Sequence, residues 1–468
     1  MRGFVPTPDE IVDRMVAKLF ARRPPTTNDA LLDPGCGPGA FIAGVIRWAE
    51  RNGRILPSIV GYESERGRYA QALKRFRHLQ NVKIVCADFL TATDGPFDYI
   101  IGNPPYVPIT QLQTREKEKF RRRFASAEGR FDLYMLFFEQ ALRLLSLEGR
   151  LVFVTPEKFL YVNTALSFRR ILANYRVREI ELLAEETFGD LVTYPAITTL
   201  DSSDDGDVTT IVRSRNDLER RIIFPKDGSS LQPLINDYEA VADTNGNTLG
   251  DICARISCGV ATGADSIFVR KSSLLDPELA IYAYPTVSGR DLSLAQSDVR
   301  SDKSMLVPYD RLGKLLPPNK LGALNTYLSQ PKIRQRLEAR TCSERKPWYA
   351  FHDSAPLPEI LRPKLICKDI TAHPRFWIDA EGKIVPRHSV YYIVPIDPKQ
   401  IHQLRDYLNG PQAANWLRAH SQRASKGFLR LQSSVLKRLP IPATFVTATA
   451  FKDQSAQNKR FAARAAAA

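Results

Sequence analysis

Cysteine and histidine are scarce in this sequence, with 6 of each among 468 residues. The cysteines are scattered, they form no Cys-x-x-Cys pair, and no pair of histidines stands near enough to complete a tetrahedral metal site. A disulfide scaffold and a structural zinc site are therefore not expected, and we predict no metal site.

Long apolar runs are also missing, since no stretch approaches the length needed to cross a bilayer. The first 20 residues include Asp9, Glu10 and Asp13, unlike a secretory signal. Hydrophobic residues make up 44% and charged residues 25%, the balance of a globular protein. We therefore expect a cytoplasmic protein without a membrane partner, and the length favours two domains.

The positive charge of the chain is unevenly distributed. The net charge is +15, yet residues 1–250 hold 33 Lys and Arg against 33 Asp and Glu, whereas residues 251–468 hold 33 against 18. Phosphate neutralisation supplies most of the sequence-independent affinity for nucleic acid. The second half is thus predicted to meet a polyanion, with a merely solvated basic surface as the alternative.

Short apolar runs alternate with amphipathic stretches between residues 30 and 200, the order typical of βαβ units. The predicted strands lie near 30–35, 58–63, 82–87, 97–102, 150–154, 179–184 and 196–201, and the predicted helices at 40–52, 65–77, 132–145 and 164–175. This pattern predicts an α/β fold with a doubly wound, Rossmann-like sheet in residues 1–245. Irregular, proline-bounded strands follow, so residues 246–450 are predicted to form a second, mixed α/β domain, with a C-terminal tail at 451–468.

A glycine-rich segment, Asp33 to Phe41, follows the first predicted strand and opens a helix. Gly35, Gly37 and Gly39 let a ligand approach the backbone at the sheet edge where doubly wound folds bind nucleotides, although such turns also serve NAD, FAD or tight packing. No phosphate-binding lysine is present, and Asp33 would repel a pyrophosphate. A cationic cofactor without phosphate, S-adenosylmethionine, fits this loop better, with its ammonium group held by Asp33 or its loop.

Acidic residues end the next two predicted strands. Glu63 stands where a ribose diol would lie, and Asp88 stands where an adenine amino group would donate, with Phe89 beside it to stack on the adenine. Each acid alone is more often a solvated strand end. After a glycine loop, acids on successive strands favour a nucleoside site.

The fourth predicted strand runs into Asn103-Pro104-Pro105-Tyr106. The two prolines keep the loop extended, so the Asn103 side-chain oxygen and the Pro104 carbonyl can both accept from an amino group, while Tyr106 stacks on a flipped base. Two acceptors are needed because the lone pair of an exocyclic amine is delocalised into its ring. An ordinary turn is the alternative. No cysteine follows a proline, which disfavours the covalent chemistry of cytosine C5 methylation.

These motifs, in this order, resemble the gamma-class adenine-N6 DNA methyltransferases of the TaqI type. The resemblance implies that the segment from Val5 to Met15 closes over the cofactor, with contacts from Thr7 and Pro8. It also implies that Phe188 sandwiches the extruded adenine against Tyr106. One departure is Asp132, which stands where the family more often has asparagine.

The C-terminal half resembles the family's target-recognition domain, at residues 259–265, 285–292 and 436–441. Part of the basic run from Arg115 to Arg123 is a candidate clamp on DNA, and a solvated helix face is the alternative. The predicted DNA-binding residues are Arg121, Arg122, Arg290, Lys368, Lys426 and Arg430.

The resemblance implies a site-specific enzyme that methylates N6 of a flipped adenine in double-stranded DNA, within restriction-modification. We expect it to act as a monomer, with any restriction endonuclease a separate chain. Four alternatives remain open at this point: methylation of a release-factor glutamine, of a ribosomal RNA base or of cytosine N4 in DNA, and a specificity subunit without catalysis.

Overall fold

The computed structural model describes residues 3–189, 194–202, 209–213, 215, 218–236, 246–294, 298–424 and 427–445. The chain divides into two compact units, Met1–Asp237 and Tyr238–Ala468. The predicted domain boundary after residue 245 and the predicted tail at 451–468 lie outside the described residues.

The first unit is built on a nine-stranded sheet. Its strands are β1 Ala30–Asp33, β2 Ser58–Tyr62, β3 Val82–Val85, β4 Phe97–Gly102, β5 Leu145–Pro156, β6 Arg176–Leu182, β7 Pro195–Asp201, β8 Thr209–Arg213 and β9 Glu219–Ile223. Its helices are α1 Asp9–Phe20, α2 Ala40–Arg51, α3 Arg66–Phe76, α4 Thr114–Arg123, α5 Leu133–Arg143, α6 Leu166–Leu172 and α7 Gln232–Ile235.

The strand order is β3-β2-β1-β4-β5-β7-β6-β8-β9. Strands β1 to β5 pair in parallel, whereas β7 is antiparallel to both β5 and β6. From β1 the chain adds β2 and then β3 on one side, and it then crosses back to place β4 on the other side of β1. Ligands of doubly wound folds bind at such a switch point, outside the carboxyl ends of the strands. The sheet thus places its candidate site beside β1 and β4.

Helix α1 is absent from the predicted set of elements. Its residues Ile11, Val12, Met15, Val16 and Leu19 form a buried stripe at helical spacing. On its other side, Arg14 and Lys18 make ion pairs with carboxylates of β6. The segment that enters the site is therefore only the part before residue 9, which α1 fixes to the sheet.

The second unit has three small sheets, with strand orders β10-β18-β14-β16, β11-β13-β12-β17 and β15-β20-β19. Its strands are β10 Cys253–Cys258, β11 Val269–Lys271, β12 Ala283–Val287, β13 Lys303–Leu306, β14 Lys364–Lys368, β15 Ile370–Thr371, β16 Phe376–Asp379, β17 Val385–Pro386, β18 Val390–Pro395, β19 Gln422–Arg423 and β20 Leu429–Arg430. Its helices are α8 Asp265–Phe268, α9 Pro277–Ala280, α10 Gly322–Leu328, α11 Pro331–Glu338, α12 Leu357–Ile360, α13 Ile401–Leu408, α14 Pro411–His420 and α15 Ser433–Arg438.

The predicted fold class, a doubly wound α/β sheet with a second, mixed α/β unit, is confirmed. The sheet is mixed rather than parallel throughout, since β7 and β9 each pair antiparallel to their neighbours. Among the helices that the structure describes, none is long and apolar enough to cross a membrane.

Candidate active site

A narrow cleft opens at the carboxyl edge of the first unit's sheet. Its walls come from the residues that follow β1, β2, β3 and β4, together with α5. Four of the predicted site residues, Gly35, Glu63, Phe89 and Asn103, line this one cleft. The parallel strands bring them together, although they are spread over nearly 70 residues of sequence.

Asp33 ends β1 and is completely buried. Neither of its carboxylate oxygens accepts a hydrogen bond of ordinary geometry from the described residues. Burial, reinforced by the nearby carboxylate of Glu63, raises the pKa of Asp33 to about 8, and the Gly35 amide partly opposes the rise. A buried carboxylate without a partner is costly in a folded protein, so this group is suited to receive a cation.

The three glycines of the loop differ in what surrounds them. Gly35 lines the cleft. Gly37 has φ +55°, and a Cβ there would come within 2.6 Å of the Phe4 ring. Gly39 has φ +87° at the start of α2, and a Cβ there would meet the Phe76 ring at 2.2 Å. In this structure Gly37 and Gly39 therefore serve the turn and its packing, and only Gly35 offers its backbone to the cleft.

Glu63 is buried and already has partners. Its carboxylate accepts from the Glu65 amide at 2.7 Å and from the Nε and Nη2 atoms of Arg68, both at 3.2 Å. The Arg68 guanidinium in turn lies 4.9 Å from the centre of the Phe4 ring. A ribose diol would have to share or replace the Arg68 contact to bind this carboxylate.

Asp88 and Phe89 face different surroundings. Asp88 lines an adjoining open groove, which shares Ser64 and Phe137 with the cleft. One of its oxygens accepts from the Leu90 amide at 3.0 Å. The Phe89 ring is buried and packs 5.3 Å from the ring of Phe137. The cleft and the groove adjoin each other between the glycine loop and Asp88.

The amide nitrogen and the amide oxygen of the Asn103 side chain differ in their hydrogen bonding. Its Nδ2 donates to the Val5 carbonyl and to the Thr7 hydroxyl, both at 3.1 Å. Its Oδ1 is buried and has no hydrogen-bond partner among the described residues. Thr7, which the resemblance implies as a cofactor contact, thus also contacts the catalytic loop, and its contact with the cofactor stays a prediction. The loop presents one acceptor that lacks a donor.

Pro104 is buried and is not among the residues that line the cleft, whereas Pro105 is. The Tyr106 hydroxyl donates to the Val154 carbonyl at 3.4 Å, and burial raises the pKa of this tyrosine well above its usual range. Its ring lies edge-on to Tyr134, with ring centres 6.3 Å apart. Tyr106 thus stays neutral and offers a fixed ring rather than a general base.

Phe188 follows β6 and is mostly buried, in a core cluster that includes Leu183 and Ile197. Because β6 runs parallel to β5, Phe188 lies at the same sheet edge as the catalytic loop. Residues 190–193 lie outside the described residues. The pairing of Phe188 with Tyr106 around a base stays a prediction.

The predicted DNA contacts are spread over both units. Arg121 and Arg122 are exposed on α4, where Arg121 donates to the Gly129 carbonyl at 3.3 Å. Lys368 is half-buried, and its Nζ lies 5.9 Å from the centre of the Trp377 ring. Arg290 and Arg430 are exposed, with the Arg430 Nε 3.6 Å from an Asp369 oxygen. Lys426 lies outside the described residues.

The cleft residues that the sequence motifs do not include are Phe4, Ser64 and Arg68. The sequence did contain a signal for Arg68, because this arginine lies in the first turn of a helix, five positions after an acid at a strand end. No sequence pattern indicated Phe4, because its contacts with Gly37 and Arg68 depend on the path of the chain before α1.

The sequence is similar to known restriction-modification enzymes. Residues 50–188 match the family described as Eco57I restriction-modification methylase. The type II methyltransferase M.PaeR7I of Pseudomonas aeruginosa is 25% identical over 94% of this chain and 86% of its own length. The type II methyltransferase M.BstVI of Geobacillus stearothermophilus is 25% identical over 94% of this chain and 90% of its own length.

Among solved structures, the type IIL restriction-modification enzyme MmeI in complex with DNA aligns with a TM-score of 0.63 at 14% identity. The alignment covers 91% of this chain and 64% of that one. The comparisons support a type II restriction-modification DNA methyltransferase and agree with the predicted cofactor, S-adenosylmethionine.

Proposed function

We propose that this protein transfers the methyl group of S-adenosylmethionine to the N6 amino group of an adenine extruded from double-stranded DNA at a specific sequence. The observation that carries this proposal is the Asn103 Oδ1 atom, which is buried, lacks a donor and belongs to a residue of the cleft wall. An amino group is the donor that such an acceptor fits.

The cofactor's parts find chemically matching groups along the cleft. The Asp33 carboxylate would pair with the methionyl ammonium, which would also remove the cost of its burial. Glu63 would hold the ribose hydroxyls, and Asp88 with Phe89 would hold the adenine. When bound, S-adenosylmethionine supplies a methyl group made electrophilic by its sulfonium sulfur.

The catalytic loop prepares the nucleophile. Asn103 Oδ1 and the Pro104 carbonyl would accept the two amino protons, which localises the nitrogen lone pair toward the methyl donor. Tyr106 and Phe188 would stack on the faces of the extruded base, and such stacking contributes about 1 to 3 kcal/mol per base. Tyr106 is neutral, and the proton of the amine leaves after methyl transfer, so no strong base is required.

The second unit would supply DNA recognition. Residues 251–468, which belong to this unit, carry the whole excess of positive charge, as expected for a domain that neutralises phosphates. The proposed contacts are Arg290, Lys368, Lys426 and Arg430, with Arg121 and Arg122 of the first unit beside the catalytic loop. We propose that a single chain is sufficient for activity in the cytoplasm and that any restriction endonuclease is a separate chain.

The test is transfer of labelled methyl from S-adenosylmethionine to unmethylated genomic DNA, followed by nucleoside analysis, with RNA and protein substrates in parallel. We expect labelled N6-methyladenine. Labelled N4-methylcytosine would contradict the adenine assignment while keeping the amino chemistry. Label in RNA or protein with none in DNA would contradict the substrate.

The variant Asn103→Ala should lose methyl transfer while it keeps cofactor affinity. A matched control is Asn81→Ala, because Asn81 precedes β3 at the opposite end of the strands and donates to the Pro57 carbonyl at 3.0 Å. Methyl transfer by Asn103→Ala at the parent rate would contradict the role of the loop.

A further inference from the structure

The amide of Asn103 is held by a segment nearly one hundred residues away in sequence. The Nδ2 group donates one hydrogen bond to the Val5 carbonyl and one to the Thr7 hydroxyl, each 3.1 Å long. These two acceptors use both hydrogens that an amide nitrogen carries. The other end of the amide, Oδ1, is buried without a partner among the described residues.

The orientation of this amide decides what the site can bind. A side-chain amide can rotate by half a turn, which exchanges its NH2 group and its oxygen at nearly no steric cost. With the NH2 group turned into the cleft, the site would present donors to an amino group that also donates. Val5 offers a carbonyl, which only accepts, so the observed orientation is the one that satisfies it.

The N-terminal segment itself is fixed against the catalytic loop. The Tyr106 amide donates to the Gly3 carbonyl at 3.2 Å. The Phe4 ring covers Gly37 and stacks with Arg68. Beyond Thr7, α1 begins at Asp9 and is packed into the core. The two acceptors are therefore held in place from both sides, as a positioning group requires.

We infer that Thr7 and Val5 are positioning residues for methyl transfer, because they lock the Asn103 amide with its oxygen toward the substrate amino group. This inference rests on the proposed function for its catalytic consequence. It differs from the cofactor contact that the resemblance implies for Thr7. It also assigns the segment before α1 a role in the chemical step.

Thr7→Val removes the hydroxyl at nearly constant volume, and Thr7→Ser keeps it. We expect Thr7→Val to lower the single-turnover rate of methyl transfer about fivefold, since one hydrogen bond contributes roughly 1 kcal/mol. Thr7→Ser should stay within about twofold of the parent. The dissociation constants for S-adenosylhomocysteine and for DNA should be unchanged in both variants, which separates positioning from binding.

A second readout does not depend on activity. The side-chain amide protons of Asn103, observed by NMR in the full chain without DNA, should exchange with solvent faster in Thr7→Val than in the parent or in Thr7→Ser. If Thr7→Val fails to fold, Thr7→Ala serves in the same comparison. The inference would be overturned if the Asn103 amide protons exchanged at the parent rate in Thr7→Val. It would also be overturned if Thr7→Ser lost as much of the methyl-transfer rate as Thr7→Val. If the parent methylates no amino group, the proposed function fails, but the exchange experiment still tests whether Thr7 holds the Asn103 amide in place.

Discussion

Two aspartates, one in each unit, lie in segments that the sequence singles out, and their surroundings are opposite. Asp33 is fully buried, and neither oxygen has a hydrogen-bond partner among the described residues. Asp291 accepts from Lys303 Nζ at 2.6 Å, from Arg387 Nη2 at 2.6 Å, and from the Ser288 amide and hydroxyl at 2.7 and 2.6 Å. The first carboxylate is incomplete without a ligand, whereas the second is complete within the protein.

The pKa values of the two groups follow this difference. Burial raises the pKa of Asp33 to about 8. Burial would also raise the pKa of Asp291, but the hydrogen bonds from Lys303 and Ser288 and the charge of Arg387 hold it well below its usual range. For these two aspartates, the partners of Asp291 indicate a structural centre, and the lack of a cationic partner at Asp33 favours a ligand site.

The largest expected effect is on stability, in the second unit. Asp291→Asn removes the carboxylate that accepts from Lys303 and Arg387, and the loss of these two charged hydrogen bonds should cost about 3 kcal/mol of unfolding free energy. Asp33→Asn removes a buried carboxyl that pairs with no cation among the described residues, so its stability should match or exceed the parent's. Urea unfolding of the cofactor-free variants compares the two, and a larger loss in Asp33→Asn would reverse the distinction.

Cofactor affinity should show the opposite pattern. Asp33→Asn removes a charge-assisted contact to the ammonium group, which contributes roughly 1.5 to 3 kcal/mol, so the dissociation constant of S-adenosylhomocysteine should rise about 10- to 100-fold. Asp291→Asn should bind as the parent does at temperatures where it stays folded. Calorimetric titration measures both, and equal affinities in Asp33→Asn and the parent would remove Asp33 from the cofactor site.

Stability should respond to pH with opposite slopes at the two sites. Asp33 keeps its proton in the folded state between its ordinary pKa of 3.8 and about 8, so its contribution to stability is greatest below this window and falls as pH rises through it. Asp291 is ionised more readily when folded, so its contribution is present above 3.8 and is lost as pH falls below that value. Thermal unfolding of the parent and of both variants from pH 3 to 9 measures these two pH dependences.

In that series, the gain in melting temperature of Asp33→Asn over the parent should grow from pH 4 to pH 8. The deficit of Asp291→Asn should shrink at the acid end. A gain for Asp33→Asn that does not vary with pH would show that Asp33 has an ordinary pKa.

The smallest expected effect comes from a single hydrogen bond of the complete site. Ser288→Ala removes the hydroxyl donor to Asp291 but keeps the backbone donor, which should lower the unfolding free energy by about 1 kcal/mol. Ser58→Ala is a matched control at an exposed serine of β2. A loss in Ser288→Ala no larger than in the control would show that the Asp291 cluster does not depend on this donor.

Much of the site was readable from the sequence because strand ends on a parallel sheet share one edge. Gly35, Glu63, Phe89 and Asn103 each follow a strand whose apolar run is plain, so their convergence could be predicted. The antiparallel insertion of β7 could not, because an apolar run does not encode the direction in which its strand pairs.

Contacts between segments that are far apart in the sequence could not be predicted from it. Thr7 bonds Asn103 and Phe4 covers Gly37 only because α1 fixes the chain before it. The helical spacing of the α1 stripe was present in the sequence and was the signal that could have found this helix. Whether a carboxylate such as Asp33 has partners depends on side chains that converge in three dimensions, and a motif does not reveal them.

The most direct measurement of the Asp33 site is the number of protons released when S-adenosylhomocysteine binds at pH 7, obtained by calorimetry in buffers of different ionisation enthalpy. An Asp33 carboxyl with a pKa near 8 is mostly protonated at pH 7 and should ionise against the ligand's ammonium group. We therefore predict release of about one proton in the parent and close to none in Asp33→Asn. Equal proton release in the two proteins, or none in the parent, would contradict the assignment of this carboxylate to the cofactor.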